Sequence, residues 1–140
     1  MKTTPISQER RSEPLLIDDI REIHYKLDNG NFPNYICIYL KCFIAIAFNG
    51  FCRVTEVCTL KFGDIMCFKD KDKDCLKITL NNRINQLQHT LWIKDYCDEN
   101  EIQAVRLFNE LIVVYKSLSI PIAKDKFIFN NFNSNSVLFR

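Results

Sequence analysis

Arg53 and Glu56 stand three residues apart in the stretch from Asn49 to Ile65, NGFCRVTEVCTLKFGDI. If a helix begins around Arg53, the two side chains share one face, while Val54, Val57, Cys58 and Leu60 cover the inward side. A guanidinium is then presented at the rim of an apolar core, and its planar fork of N–H donors suits a phosphate. The same spacing also describes an ordinary helical ion pair, which contributes about 0.2–0.5 kcal/mol. A second arginine, Arg83, falls in the polar segment from Asn81 to Thr90, NNRINQLQHT. It can bind phosphate or be a stray charge in a polar turn. It is ill suited to donating a proton, because a guanidinium holds its proton to a pKa above about 12.

The other reactive residue types form no recognisable constellation. Seven cysteines (37, 42, 52, 58, 67, 75 and 97) lie mostly in apolar runs and include no C-x-x-C. They read as buried, reduced thiols, and with no paired Cys/His cluster at zinc spacing, no metal and no cofactor is expected. His24 sits one residue from an apolar stripe and reads as a boundary or surface histidine, and His89 as a strand residue. Arg10 and Arg11 read as solvated charges in a polar tail, since exposed charges contribute little without a shaped site. The N-terminus, MKTTPISQERRSEP, lacks the apolar run of a secretory signal, so the expected location is intracellular.

The chain that must position these groups is 140 residues long, 47% hydrophobic and 26% charged, which fits one globular domain. A net charge of +2 is near neutral, so any affinity for nucleic acid would need basic residues gathered on one face. Residues 1–13 read as a flexible tail and 14–140 as the folded domain. Leu16, Ile20, Ile23 and Leu27 recur at helical spacing, with Asp18 and Asp19 in the first turn and Asn29-Gly30 as the stop. Pro33 opens a second helix that is apolar from Tyr35 to Phe48 except at Lys41. It is too short and too interrupted for a bilayer span, so it reads as a central core helix and no membrane partner is expected.

After Ile65 the period changes to two. Met66 and Phe68, then Leu76, Ile78 and Leu80, then Leu91 and Ile93 predict three short antiparallel strands, with the charged run Lys69 to Asp74 as a solvated hairpin turn. Ile102, Val105, Phe108, Leu111, Ile112 and Tyr115 predict a long helix, preceded by Asp98, Glu99 and Glu101 and broken by Pro121. The fold class expected is α+β, mostly α, with helices packed around a small three-stranded antiparallel sheet.

The segment Ala45 to Ile65 resembles the first arginine motif of the tyrosine recombinases, the phage-integrase family, written roughly G-x-R-x-x-E-x-x-x-L-x-x-x-D-I. Gly50, Arg53, Glu56, Leu60, Asp64 and Ile65 fill those places, with one extra residue between glycine and arginine. Arg83-Ile84-Asn85-Gln86 is similar to the K-T-D-Q turn of eukaryotic mobile-element members, which places Arg83 at the position of a catalytic lysine. Phe127-Ile128-Phe129 resembles the stretch that precedes the family's second box. The resemblance runs from about Leu15 to Phe129, the first half of a recombinase catalytic domain. It implies double-stranded DNA as partner, Arg53 as a clamp on the scissile phosphate, Glu56 as its support and self-association on DNA as an option.

The family's H-x-x-R box and nucleophilic tyrosine do not occur in these residues, and Tyr25, Tyr35, Tyr39, Tyr96 and Tyr115 read as packing residues. The family cycle also needs a lysine to protonate the leaving oxygen, which an arginine at position 83 does poorly. The expectation is a fragment or degenerate relative of a DNA recombination and integration enzyme, inactive alone. A non-catalytic DNA-binding derivative and an unrelated helical interaction module are the alternatives. The last of these expects no paired strands between Leu76 and Ile93.

Overall fold

In the computed structural model, which describes residues 16–50, 54–81, 88–95 and 103–129, the first helix, α1, spans Ile17–Asn29. Asp18 and Asp19 occupy its first turn, where carboxylates oppose the helix dipole. The Asp19 carboxylate also accepts the Leu16 N–H at 3.1 Å. At its end the Gly30 N–H donates to the Lys26 carbonyl at 2.9 Å, closing the last turn. The inward residues are Ile20, His24 and Leu27. His24, expected at the boundary or surface, is therefore buried at 9% exposure. It lies four residues after Ile20 and three before Leu27, the two spacings that share a helix face. Leu16 precedes the first turn and is exposed instead.

Helix α2, Asn34–Gly50, is the centre of the domain. Pro33 precedes it, and its carbonyl accepts the N–H groups of Ile36 and Cys37, so a residue without an N–H stands where none is needed. Tyr39, Cys42, Ala45 and Ile46 are fully buried. Lys41 is the one cation in this apolar run, and its ammonium meets Asp28 of α1 at 2.6 Å. The Cys37 thiol donates to the Leu27 carbonyl at 3.3 Å and adds a second tie between α1 and α2.

A five-residue helix, α3, covers Val54–Cys58. A single 3-10 turn at Phe62–Asp64 then feeds strand β1, Ile65–Asp70. Strands β2, Lys73–Asn81, and β3, Gln88–Lys94, complete an antiparallel sheet in the order β1-β2-β3. Leu76, Ile78, Leu80 and Ile93 turn inward to the same core as Tyr39, Ile46, Leu107 and Leu111. The alternation of β2 and β3 thus matches a sheet with one buried face.

The charged run Lys69 to Asp74 is strand rather than loop. Lys69 pairs with Asp74 and Asp70 with Lys73 across the hairpin, and only Lys71 and Asp72 form the turn. Both have positive φ, 52° and 69°, as a two-residue type I′ turn requires. Opposite charges directly across a ladder stabilise it, and Lys69 and Asp74 approach to 3.2 Å.

Helix α4, Ala104–Ser117, packs against α2 and the sheet through Ala104, Val105, Leu107, Phe108, Leu111 and Tyr115. Its start is held by Asp95, just past β3, whose carboxylate accepts the N–H groups of Val105 (3.2 Å) and Arg106 (3.0 Å). Asp98, Glu99 and Glu101 lie outside the described residues. The helix ends at Ser117, before Pro121. Ser119 is left-handed (φ 58°), its N–H donates to Lys116, and the Ile120 N–H donates to Tyr115 at 2.9 Å. This is a Schellman closure, with Ile120 buried against the last turn.

The molecule is thus α+β and mostly helical, with helices packed around a three-stranded antiparallel sheet. Among the described residues no helix is long and apolar enough to cross a membrane.

Candidate nucleic-acid interface

Arg53 immediately precedes α3, and Arg83 falls in the connection between β2 and β3. Both lie outside the described residues. Of the proposed trio Glu56 alone is described, half-buried on α3. Val57 and Leu60 are buried as the helical face requires, and Cys58 is half-buried at its edge. The helix closes with the Thr59 hydroxyl donating to the Glu56 carbonyl at 3.0 Å and the Leu60 N–H to Val57 at 3.1 Å.

The remaining motif positions have structural work that their types explain. The Asp64 carboxylate accepts the Lys61 N–H at 3.0 Å while the Asp64 N–H donates to the Lys61 carbonyl at 2.9 Å. This reciprocal pair makes the sharp turn that redirects the chain from α3 into the sheet. Ile65 then begins β1 opposite Ile78. Leu60 plugs the core and its carbonyl accepts the Ile128 N–H at 3.0 Å. The segment after α4 continues alongside. Phe62 and Gly63 donate to the carbonyls of Lys126 and Lys124 (3.0 and 3.1 Å), and Lys61 bridges Phe127 antiparallel. A Cβ on Gly63 would stand 2.9 Å from the Lys124 carbonyl oxygen, so this crossing admits no side chain there.

Two stretches about sixty residues apart in sequence are thereby laid side by side. Phe129 enters the core edge-on to Tyr39 and Phe43, with ring centroids 5.4 and 5.2 Å away. Lys61 and, on the segment paired beside it, Lys124, Asp125 and Lys126 are exposed beyond the end of α3, with the Lys61 ammonium 5.4 Å from the centre of the Phe127 ring. Sequence reading missed this basic edge, because the pairing that joins residue 61 to residue 127 has no local signature. The only hint was K-D-K at residues 124–126, shortly after Pro121.

The tyrosines divide by burial. Tyr39 and Tyr115 are fully buried, and the Tyr115 hydroxyl donates to the Ile128 carbonyl. Burial pushes the Tyr115 hydroxyl well above the usual tyrosine range, with Tyr39 and Cys42 nearby adding to the effect. Tyr35 is partly buried against the core. Tyr25, read from sequence as a packing residue, is 68% exposed, because it follows His24 by one residue and so faces away from α2. Tyr96 lies outside the described residues.

The thiols also differ from expectation. Cys37, Cys42 and Cys75 are buried, Cys58 is half-buried, and Cys67 on β1 is exposed; all five are unbridged. Burial drives the Cys42 thiol well above its ordinary range, assisted by the Glu110 carboxylate. Such a thiol is a core group rather than a nucleophile. Cys52 and Cys97 lie outside the described residues.

A concavity of about 530 Å³ opens between the sheet and α4, lined by Lys73, Asp74, Asp95, Arg106 and Glu110 among others. Its charged groups largely bind one another or the backbone: Asp95 holds the start of α4, and the Arg106 guanidinium donates to Gln103 and Glu110. Compared with known proteins, the chain matches no family model, no curated protein and no solved structure.

Proposed function

We propose that this chain is related to the tyrosine recombinases and binds the sugar–phosphate backbone of double-stranded DNA with Arg53, Arg83 and the lysines beside them. The observation that supports this reading is the path of the chain. The short helix carrying Glu56 turns through Asp64 straight into β1, and β2 and β3 pair on either side of the connection that bears Arg83. Order and type of element therefore agree with the resemblance in the two motifs. The exposed Lys61, Lys124 and Lys126, with Asp125 between the last two, add net positive charge beyond the end of α3. An unrelated helical module is disfavoured, because β2 and β3 pair through the interval from Leu76 to Ile93 that it expects to be unpaired.

In this reading Arg53 and Arg83 each offer a fork of N–H donors to phosphate oxygens, which binds backbone without reading bases. Glu56, as the resemblance implies, supports Arg53. Binding is expected to be weak, without sequence preference and salt-sensitive. With three to five phosphates neutralised, log K falls against log[salt] with a slope of about −3 to −4.5. Fluorescence anisotropy on a labelled duplex measures it. Changing Lys61, Lys124 and Lys126 together to Gln should lower the magnitude of the slope by about 1 for each lysine in contact. No binding at low salt, or a slope near zero, overturns the proposal.

A further inference from the structure

The outer face of the sheet carries an aromatic and basic surface that the duplex-binding reading does not use. In an antiparallel pair, residues directly opposite one another project to the same side. The register aligns Met66 with Lys77 and Lys77 with Trp92 in one row, and Phe68 with Cys75 and Cys75 with Lys94 in the next. These rows face away from the core, since the intervening Leu76, Ile78 and Ile93 point into it. Trp92 is 62% exposed and Met66 59%. Large apolar side chains at such exposure on one patch mark a binding surface more often than isolated ones do.

The patch is organised. The Phe68 ring meets Trp92 edge-on, 5.6 Å between centroids at 89°, and braces the indole from β1. The Lys77 ammonium lies 5.3 Å from the Trp92 ring centre, so a cation is held against the aromatic surface. Asp70 and Lys94 bridge the second row across the sheet. The charged groups of this face are the ammonium groups of Lys73, Lys77 and Lys94 against the single carboxylate of Asp70. Thr79 and Thr90, directly paired, continue the same face toward the connection that carries Arg83.

From this charge and shape we infer that the outer sheet face binds single-stranded DNA, stacking an unpaired base on Trp92 and setting Lys77 against the neighbouring phosphate. A polyanion with flat apolar groups matches an excess of ammonium groups around an exposed indole. A duplex does not, because its bases are already stacked on one another. An apolar protein segment would bury ammonium groups without an acidic partner, at a cost in desolvation. The surface shares no residue with the proposed duplex contacts, so it stands or falls separately from them.

Trp92 is the chain's one tryptophan, so its emission reports the site directly. The full chain is titrated with a short oligothymidylate and, in parallel, with a blunt duplex of the same length, while labelled strands report binding by anisotropy. Saturable quenching of Trp92 by the single strand, at concentrations where the duplex leaves emission unchanged, is the expected result. Trp92→Ala should weaken oligothymidylate binding about 5- to 150-fold, and Trp92→Phe, which keeps a ring on the surface, should retain most of it. Duplex anisotropy should be unaltered in both variants. Quenching by the single strand with no duplex binding would remove the duplex proposal and leave this one standing. The inference is overturned if oligothymidylate binds without changing Trp92 emission, if it does not bind, or if duplex quenches equally.

Discussion

Tyr115 shows how a single polar atom ties the last described segment to the core. Its ring is fully buried on α4, edge-on to Phe62 at 5.9 Å, and its hydroxyl donates to the Ile128 carbonyl. Removing the hydroxyl strands a buried acceptor, so Tyr115→Phe should destabilise the fold by about 1–3 kcal/mol, read from the midpoint of urea denaturation. The same burial sets a pH dependence. In the unfolded chain the tyrosine and the Cys42 thiol ionise near their ordinary values of 10.0 and 9.0, whereas the folded protein holds both protons to higher pH. Above pH about 9 the unfolded state therefore binds fewer protons than the native state, and stability falls as pH rises. Below pH about 8 these two groups contribute no slope. Urea midpoints at pH 8 and pH 10.5 should show the fall, and Tyr115→Phe should lessen it. A midpoint that holds steady across that interval in the unmodified protein would contradict this account of the core.

At the scale of elements, the hairpin between β1 and β2 departs furthest from ideal chemistry. Its turn needs two left-handed residues and supplies Lys71 and Asp72, where Asn-Gly is the usual solution. A left-handed conformation costs an ordinary L-residue about 1–2 kcal/mol, and glycine escapes most of that cost while losing some entropy on folding. Asp72→Gly should therefore stabilise the domain by about 0.5–1 kcal/mol, measured by thermal unfolding. An unchanged or lowered midpoint would mean that the side chain of Asp72 matters to the hairpin in some other way.

This hairpin also illustrates what could be read from the residues and what could not. α1, α2, α4 and the alternation of β2 and β3 were legible, because Ile20, Leu27, Leu76 and Ile78 report burial through local periodicity. The run from Lys69 to Asp74 looked like a loop, since its charges find their purpose only across the ladder, Lys69 with Asp74 and Asp70 with Lys73. Asp95 at the start of α4, Ser119 in the closure after it and Lys61 opposite Phe127 were hidden for a related reason. Each acts on a residue far off in the chain, or in a conformation that its type does not announce. Of the candidate site, the helix bearing Glu56 and the strands flanking Arg83 were legible, whereas the lysine edge was not.

For the whole molecule, the proposed binding of DNA phosphates raises the further matter of whether the chain could also break DNA. Strand cleavage of the recombinase type needs a hydroxyl that can reach the phosphorus, a group that protonates the leaving oxygen, and donors that stabilise the charge developing on the phosphate. Tyr39 and Tyr115 are enclosed in the core, and the Tyr115 hydroxyl is committed to Ile128. Tyr25 stands on the face of α1 turned away from α2. Arg83 retains its proton too strongly to serve as the acid. Losing a general acid alone commonly costs about 10²- to 10⁴-fold, a deficit that a lysine at position 83 could restore if the nucleophile were in place. The 140 residues contain no H-x-x-R sequence to complete the donors. The chain should therefore form no covalent adduct with a nicked suicide duplex, and Arg83→Lys should not rescue one. Denaturing electrophoresis after incubation reads the result. A shifted covalent band with either protein, abolished by changing Tyr25, Tyr35, Tyr39, Tyr96 or Tyr115 to Phe, would place a working nucleophile among these tyrosines and make the chain a DNA-cleaving enzyme rather than a binder.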